Sequence, residues 1–132
     1  MKKKSSFDEL EAQESGICEF DDKKVINSVE PVKISGKECV ARIDTGATRS
    51  SICKTLVGKL KLGPPIDSVE VKSSNGISMR DIIMVEVELA GVKTKTKFNV
   101  SDRSHMRYPI LIGRNLLKKG FLVDCSNEDR DY

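Results

Sequence analysis

Residues 84–100, MVEVELAGVKTKTKFNV, constrain the fold more than any other stretch of the chain. Val85, Val87 and Leu89 alternate with Glu86 and Glu88. Beyond Ala90-Gly91, Val92, Thr94, Thr96, Phe98 and Val100 alternate with Lys93, Lys95 and Lys97. A period of two places successive side chains on opposite faces of a strand. Two such arms around a small turn specify a β-hairpin with one buried face and one wet face.

The same grammar recurs. VEPVKISGKECVARID reads as a hairpin turning at Ser35-Gly36-Lys37. In its second strand Cys39, Ala41 and Ile43 share one face, and Val40, Arg42 and Asp44 the other. Val69 and Val71 lead into Ser73-Ser74-Asn75-Gly76, and Asn-Gly is a strong hairpin signal because both residues tolerate positive φ. A further hairpin tip is therefore expected at Asn75-Gly76. SSICKTLVGKLKLGPP fits either a short strand or a helical turn, ended by Gly63-Pro64-Pro65. Ile110-Leu111-Ile112 is a short apolar run. RNLLKKG reads as a helix closed by Gly120 with Lys118 and Lys119 near its C-terminal dipole. Phe121-Leu122-Val123-Asp124 reads as a last strand. The expectation is a mainly β fold with one short C-terminal helix.

The 132 residues suit one domain with tails. The boundaries expected are a polar tail over 1–24, a domain over 25–126 and a short tail over 127–132. Aromatic content of 5% without Trp implies a core of Val, Ile and Leu. The net charge of +3 conceals an asymmetry. Residues 1–30 hold five Lys and eight acids, and residues 31–132 eighteen Lys and Arg against twelve acids. The body's cations are spread rather than clustered with aromatics, so they read as a solvated face and nucleic acid is not an expected partner. No apolar run approaches the roughly 18 residues of a membrane span, and the basic start, MKKKSSFDEL, lacks the apolar core of a signal peptide. Cys18, Cys39, Cys53 and Cys125 form no C-x-x-C pair. Reduced thiols and a cytoplasmic location are the expectation.

The chemistry centres on ARIDTGATRSSI, residues 41–52. Asp before Gly at a strand end is also ordinary turn chemistry. Its context argues for more: an apolar strand fixes Asp44, and small residues (Ala47, Ser50, Ser51) leave room for a ligand near the backbone. One carboxylate does not easily serve as both acid and base toward water. Two held about 3 Å apart do, because they cannot both ionise and so share a proton. A two-fold homodimer would supply the second copy of Asp44. Ser50 and Ser51 are weaker candidates as nucleophiles, since His105 is the one histidine and nothing places it beside them. Cys53 reads as an apolar filler.

The ordered set of an apolar strand, Asp44-Thr45-Gly46-Ala47, a hairpin tipped at Asn75-Gly76 and ILIGRNLL over 110–117 resembles the retropepsin-like aspartic protease domain. The resemblance is closer still to the prokaryotic retropepsin-like family known as ATP-dependent zinc proteases and related to RimK. VKSSNGISMRDIIMVEVELAGVKTKTKFNVSDRSHMRYPILIGRNLLKKGFLVDCS carries that likeness, which covers about residues 25–126. It implies a closed antiparallel barrel working as a homodimer on peptides. Asp44 would be the catalytic carboxylate, Thr45 would bond across the dimer axis, and Gly46 would admit the substrate backbone. Ala47, Asn75, Gly76 and Ile77 would contact peptide from pocket and flap. Arg114 would anchor the C-terminal helix beneath the Asp44 loop. Viral enzymes usually carry an acid four residues after the catalytic Asp, available to pair with that Arg; here Thr48 and then Arg49 follow.

The family's zinc label has no counterpart in the residues, which lack H-E-x-x-H. No phosphate-binding Gly-rich loop is present either, so no metal or cofactor is expected. Any ATP link would run through a partner such as an ATP-grasp ligase. The expected activity is aspartic endopeptidase, favoured below neutral pH by the shared proton. The alternatives are an inert peptide- or partner-binding module of the same fold, and a monomeric subunit of a ligase-associated assembly with Asp44 structural.

Overall fold

The computed structural model describes residues 23–74 and 76–127. Asn75, Cys18 and most of both expected tails lie outside the described residues. The anchoring hairpin forms as its alternation requires. Strand β6 (Gly76–Leu89) pairs antiparallel with β7 (Val92–Ser101), Leu89 opposite Val92. Val85, Val87, Leu89, Thr96 and Phe98 are buried, while Glu86 and Glu88 stand in register with Lys95 and Lys93 on the outer face. Strands β2 (Val29–Ile34) and β3 (Lys37–Ile43) form the second hairpin, Ile34 opposite Lys37. Both turns are two residues long and need positive φ at both positions. Ser35 and Gly36 take 49° and 87°, and Ala90 and Gly91 take 53° and 82°. That geometry matches the right-handed twist of the flanking strands.

The third hairpin joins β5 (Asp67–Ser73) to the first half of β6. Pairing continues to Ser73 opposite Gly76, so Gly76 begins the returning strand rather than closing the turn. Only the second half of β6, from Ile82 onward, also pairs with β7. The first half is an arm beyond the barrel, which leaves Ile77 and Met79 63% and 65% exposed.

Three short strands complete the sheet system: β4 (Ser50–Cys53), β8 (Ile110–Ile112) and β9 (Phe121–Asp124). The order β2-β3-β8-β4-β7-β6 returns to β2 through Val32 opposite Leu89, which makes a closed six-stranded barrel with β5 attached outside. Four seams are antiparallel; β3–β8 and β4–β7 are parallel. Strand β1 (Lys24–Asn27) pairs parallel with β9 in a separate two-stranded sheet.

The segment that fits strand or helix contains both. Helix α1 (Lys54–Leu60) follows β4 directly, and Lys61 ends it in the left-handed region at φ 55°. Its Leu56, Val57 and Leu60 pack half-buried against the core. Helix α2 (Arg114–Leu117) is shorter than RNLLKKG suggests; residues 118–120 form a turn, and Lys119 Nζ reaches β7 at Thr94 Oγ1 (3.2 Å) and the Lys95 carbonyl (3.3 Å). The core holds Ile26, Ile34, Ile52, Ile83, Phe98, Ile110, Ile112 and Leu116, nearly all aliphatic. Each such burial contributes about 1.5–3 kcal/mol. No described helix is long and apolar enough to cross a membrane.

Two stability predictions follow from the core. Thr96 Oγ1 is buried on the inner face and has no hydrogen-bond partner among the described residues. Thr96→Val keeps the shape and removes an unpaid desolvation, so it is expected to stabilise by about 1 kcal/mol. A urea midpoint that falls instead would show the hydroxyl to be satisfied. At Gly113 a Cβ would collide with backbone: it would lie 2.7 Å from the Arg49 carbonyl carbon and 2.9 Å from the Ala47 carbonyl oxygen. The backbone angles there (φ −104°, ψ −171°) suit any residue, so the whole penalty of Gly113→Ala is steric. About 3 kcal/mol of lost stability is expected. An unchanged melting temperature would disprove the close approach.

Candidate active site

Strand β3 delivers Asp44 to a fixed position. Ile43 lies parallel to Ile112, and the Asp44 N–H continues the pairing by donating to the Ile112 carbonyl at 2.9 Å. The chain then folds back on the side chain: Gly46 N–H donates to Asp44 Oδ1 at 2.9 Å, and Ala47 N–H to the Asp44 carbonyl at 3.2 Å. Among the described residues, Oδ1 is the one carboxylate oxygen of Asp44 that takes a hydrogen bond. Asp44 is half-buried, and Thr45 and Gly46 are exposed.

The loop is held from below by the start of α2. Arg114 N–H donates to the Ala47 carbonyl (2.8 Å) and Asn115 N–H to the Thr48 carbonyl (3.1 Å). The Arg114 guanidinium donates to the Thr45 carbonyl at 2.9 Å and to Thr48 Oγ1 at 3.1 Å. The residue in the place of the usual acid is thus an acceptor after all, through a neutral hydroxyl. Ser50, 0% exposed, closes the far end. Its hydroxyl accepts from Gly113 N–H (2.9 Å) and donates to Asn115 Oδ1 (2.8 Å), while Asn115 Nδ2 donates to the Lys97 carbonyl (2.9 Å). These bonds commit Ser50 to structure. Ser50 and Asn115 were not legible as a pair, because 65 residues separate them.

The expected site residues divide into two groups. Asp44, Thr45, Gly46, Ala47 and Arg114 meet in this loop and its support. Gly76 and Ile77 lie on the β5–β6 arm, and Asn75 lies outside the described residues. A groove of about 420 Å³ bridges loop and arm root: Thr48, Arg49, Arg114 and Asn115 line it on one side, Asp67 and Ile82 on another, and Lys97, Asn99 and Lys118 complete it. Its cations come from three separate segments, the Asp44 loop, β7 and α2 with its C-terminal cap, which is why the sequence reads them as dispersed.

Arg103 stands on the loop between β7 and β8. It donates from Nε to the Tyr108 carbonyl (3.2 Å) and from Nη1 to Ser51 Oγ (3.3 Å). Burial lowers its basicity, and the Cys53 and Asp44 side chains oppose that shift. His105 is exposed on the same loop, with Ser104 Oγ 3.5 Å from its Nδ1.

Comparisons with known proteins agree with this architecture. A simian foamy virus protease is 20% identical, with a TM-score of 0.56 over 68% of this chain and 91% of that one. The protease of EIAV, solved with an inhibitor, is 22% identical, with a TM-score of 0.58 over 69% and 85%. A Legionella pneumophila protein of unknown function is 17% identical, with a TM-score of 0.55 over 77% and 93%. At these identities the likeness establishes the retropepsin-like fold. No curated protein matches the chain. A family model described as RimB-like, retropepsin-like aspartic endopeptidase RimB, matches residues 59–130, a stretch that begins after Asp44 and includes the arm, β8 and α2. That match spans more than half of the sequence, and the chain belongs to the RimB-like family of retropepsin-like proteins.

Proposed function

We propose that the protein is an aspartic endopeptidase acting as a homodimer, with a water activated between two Asp44 carboxylates. The observation that carries this reading is the Asp44 loop. Its backbone is tied to β8 and α2, and Gly46 N–H orients Oδ1. A carboxylate so fixed is preorganised, as general acid–base work requires. Thr45, exposed with its carbonyl held by Arg114, is suited to meet its counterpart on a two-fold axis. In the proposed dimer the paired carboxylates share one proton. The charged member accepts a proton from water as it attacks the peptide carbonyl, and the protonated member donates to the developing oxyanion. Activity is then highest below neutral pH. The β5–β6 arm, with Ile77 and Met79 exposed, would close over the peptide.

The groove suggests the kind of peptide. Arg49, Lys97, Arg114 and Lys118 oppose one acid, Asp67, among its described lining residues. Such a field attracts acidic side chains and repels basic ones. We infer a preference for substrates with Asp or Glu a few residues from the scissile bond.

Asp44→Asn should cut kcat/KM by about a thousandfold or more, while leaving the dimer and the circular-dichroism spectrum intact. Retained cleavage would eliminate the mechanism. Binding of acidic peptides by a wild-type protein that cleaves none across pH 3–8 would favour the inert binding module instead. Sedimentation that finds only monomer would remove the shared site. Arg49→Glu combined with Lys118→Glu should lower cleavage of acidic peptides by roughly tenfold and raise that of basic analogues. Equal losses on both would remove the groove from specificity.

A further inference from the structure

The groove beside the Asp44 loop carries positive charge that its own lining leaves unmatched. Arg114 directs its guanidinium to Thr45 and Thr48. Asp67 accepts the Ser68 backbone N–H through Oδ1. Arg49, Lys97 and Lys118 remain around about 420 Å³ of open space. With Arg114, whose acceptors are neutral, four cations face the one acid Asp67 around this concavity and create a field that focuses anions there, an effect larger than single exposed ion pairs provide.

The same chain carries an anion of matching size. Residues 5–22, SSFDELEAQESGICEFDD, hold seven Asp and Glu and no Lys, Arg or His. In sequence they end two residues before β1, which begins at Lys24. Eighteen residues span about 60 Å when extended. A folded unit of about 100 residues has a radius of gyration near 13 Å. Tether length therefore places no part of the surface out of reach. Tethering also presents the segment at an effective concentration of about millimolar, enough for a weak electrostatic site to be occupied.

We propose that residues 5–22 dock in the cationic groove of their own chain, as an intramolecular occupant that an acidic peptide must displace. The docking itself needs no catalysis. Its consequence, restraint of cleavage, rests on the endopeptidase reading above. An acidic segment from a second copy has the same chemistry, and the experiment separates the two sources.

The test uses the full chain, labelled with ¹⁵N, beside a full-length variant in which the seven acids are replaced by Asn and Gln. The backbone amide signals of Thr48, Arg49, Asn115 and Lys118 should differ between the two. In the wild type, 0.5 M NaCl should move these signals toward the variant's positions, because salt screens the contact. A fluorescein-labelled peptide of residues 5–17 should bind the neutralised variant about tenfold more tightly than the wild type. That binding should vanish with Arg49→Glu and Lys118→Glu. Groove signals identical in wild type and neutralised chain, or equal peptide affinities, would overturn the proposal. Signal differences that grow with protein concentration would assign the segment to a second copy and overturn the intramolecular form. None of these readings depends on whether the protein cleaves anything, so a failed docking and a failed protease assignment remain distinguishable.

Discussion

The site depends on one close approach, that of Gly113 to the backbone of residues 47–49. No side chain fits between them, and the proximity lets two backbone N–H groups of α2 reach the carbonyls of Ala47 and Thr48. With the backbones that close, Arg114 and Ser50 fall within hydrogen-bonding distance of the loop they support. Asp44 inherits its position from this contact on one side and from β8 on the other. Tertiary contacts, rather than the Asp-Thr-Gly turn by itself, fix the carboxylate.

The legible parts of the sequence were those governed by local rules. Alternation fixed the faces of β3, β6 and β7, since a strand exposes every second side chain whatever its neighbours. Ser35-Gly36 and Ala90-Gly91 announced their turns through the residue types that positive φ demands. Asp44 and Arg114 were legible through the order of motifs. Strand neighbours were not. That β8 lies between β3 and β4, parallel to one and antiparallel to the other, follows from pairings across many residues. The boundary between turn and strand at Gly76 was one residue off for a related reason: Asn-Gly is a turn signal, but here pairing with Ser73 draws the glycine into the strand.

The site's polar support was hidden more deeply. A search for a charged partner of Arg114 looks for an acid at position 48 and finds Thr. The structure supplies a hydroxyl and a carbonyl instead, which satisfy the donors without charge neutralisation. Lys97 shows how a correct local reading can be incomplete. It belongs to a solvated lysine stripe, yet it also lines the groove with Arg49 and Lys118. Arg103 belongs to the stretch that carries the family likeness, but its bonds to Ser51, 52 residues away, and to the Tyr108 carbonyl are long-range or loop geometry that no linear pattern carries.

The closed ring has a consequence for assembly. Every strand of the barrel is paired on both sides, so the ring itself offers a newcomer no backbone to pair with. Among the described strands, open edges remain on β5 and on the small β1–β9 sheet. A second chain that joins by strand addition must do so there. Substitutions on the outer face of the barrel therefore leave any such strand addition untouched, whereas changes in the few residues of β1, β5 and β9 would bear directly on it.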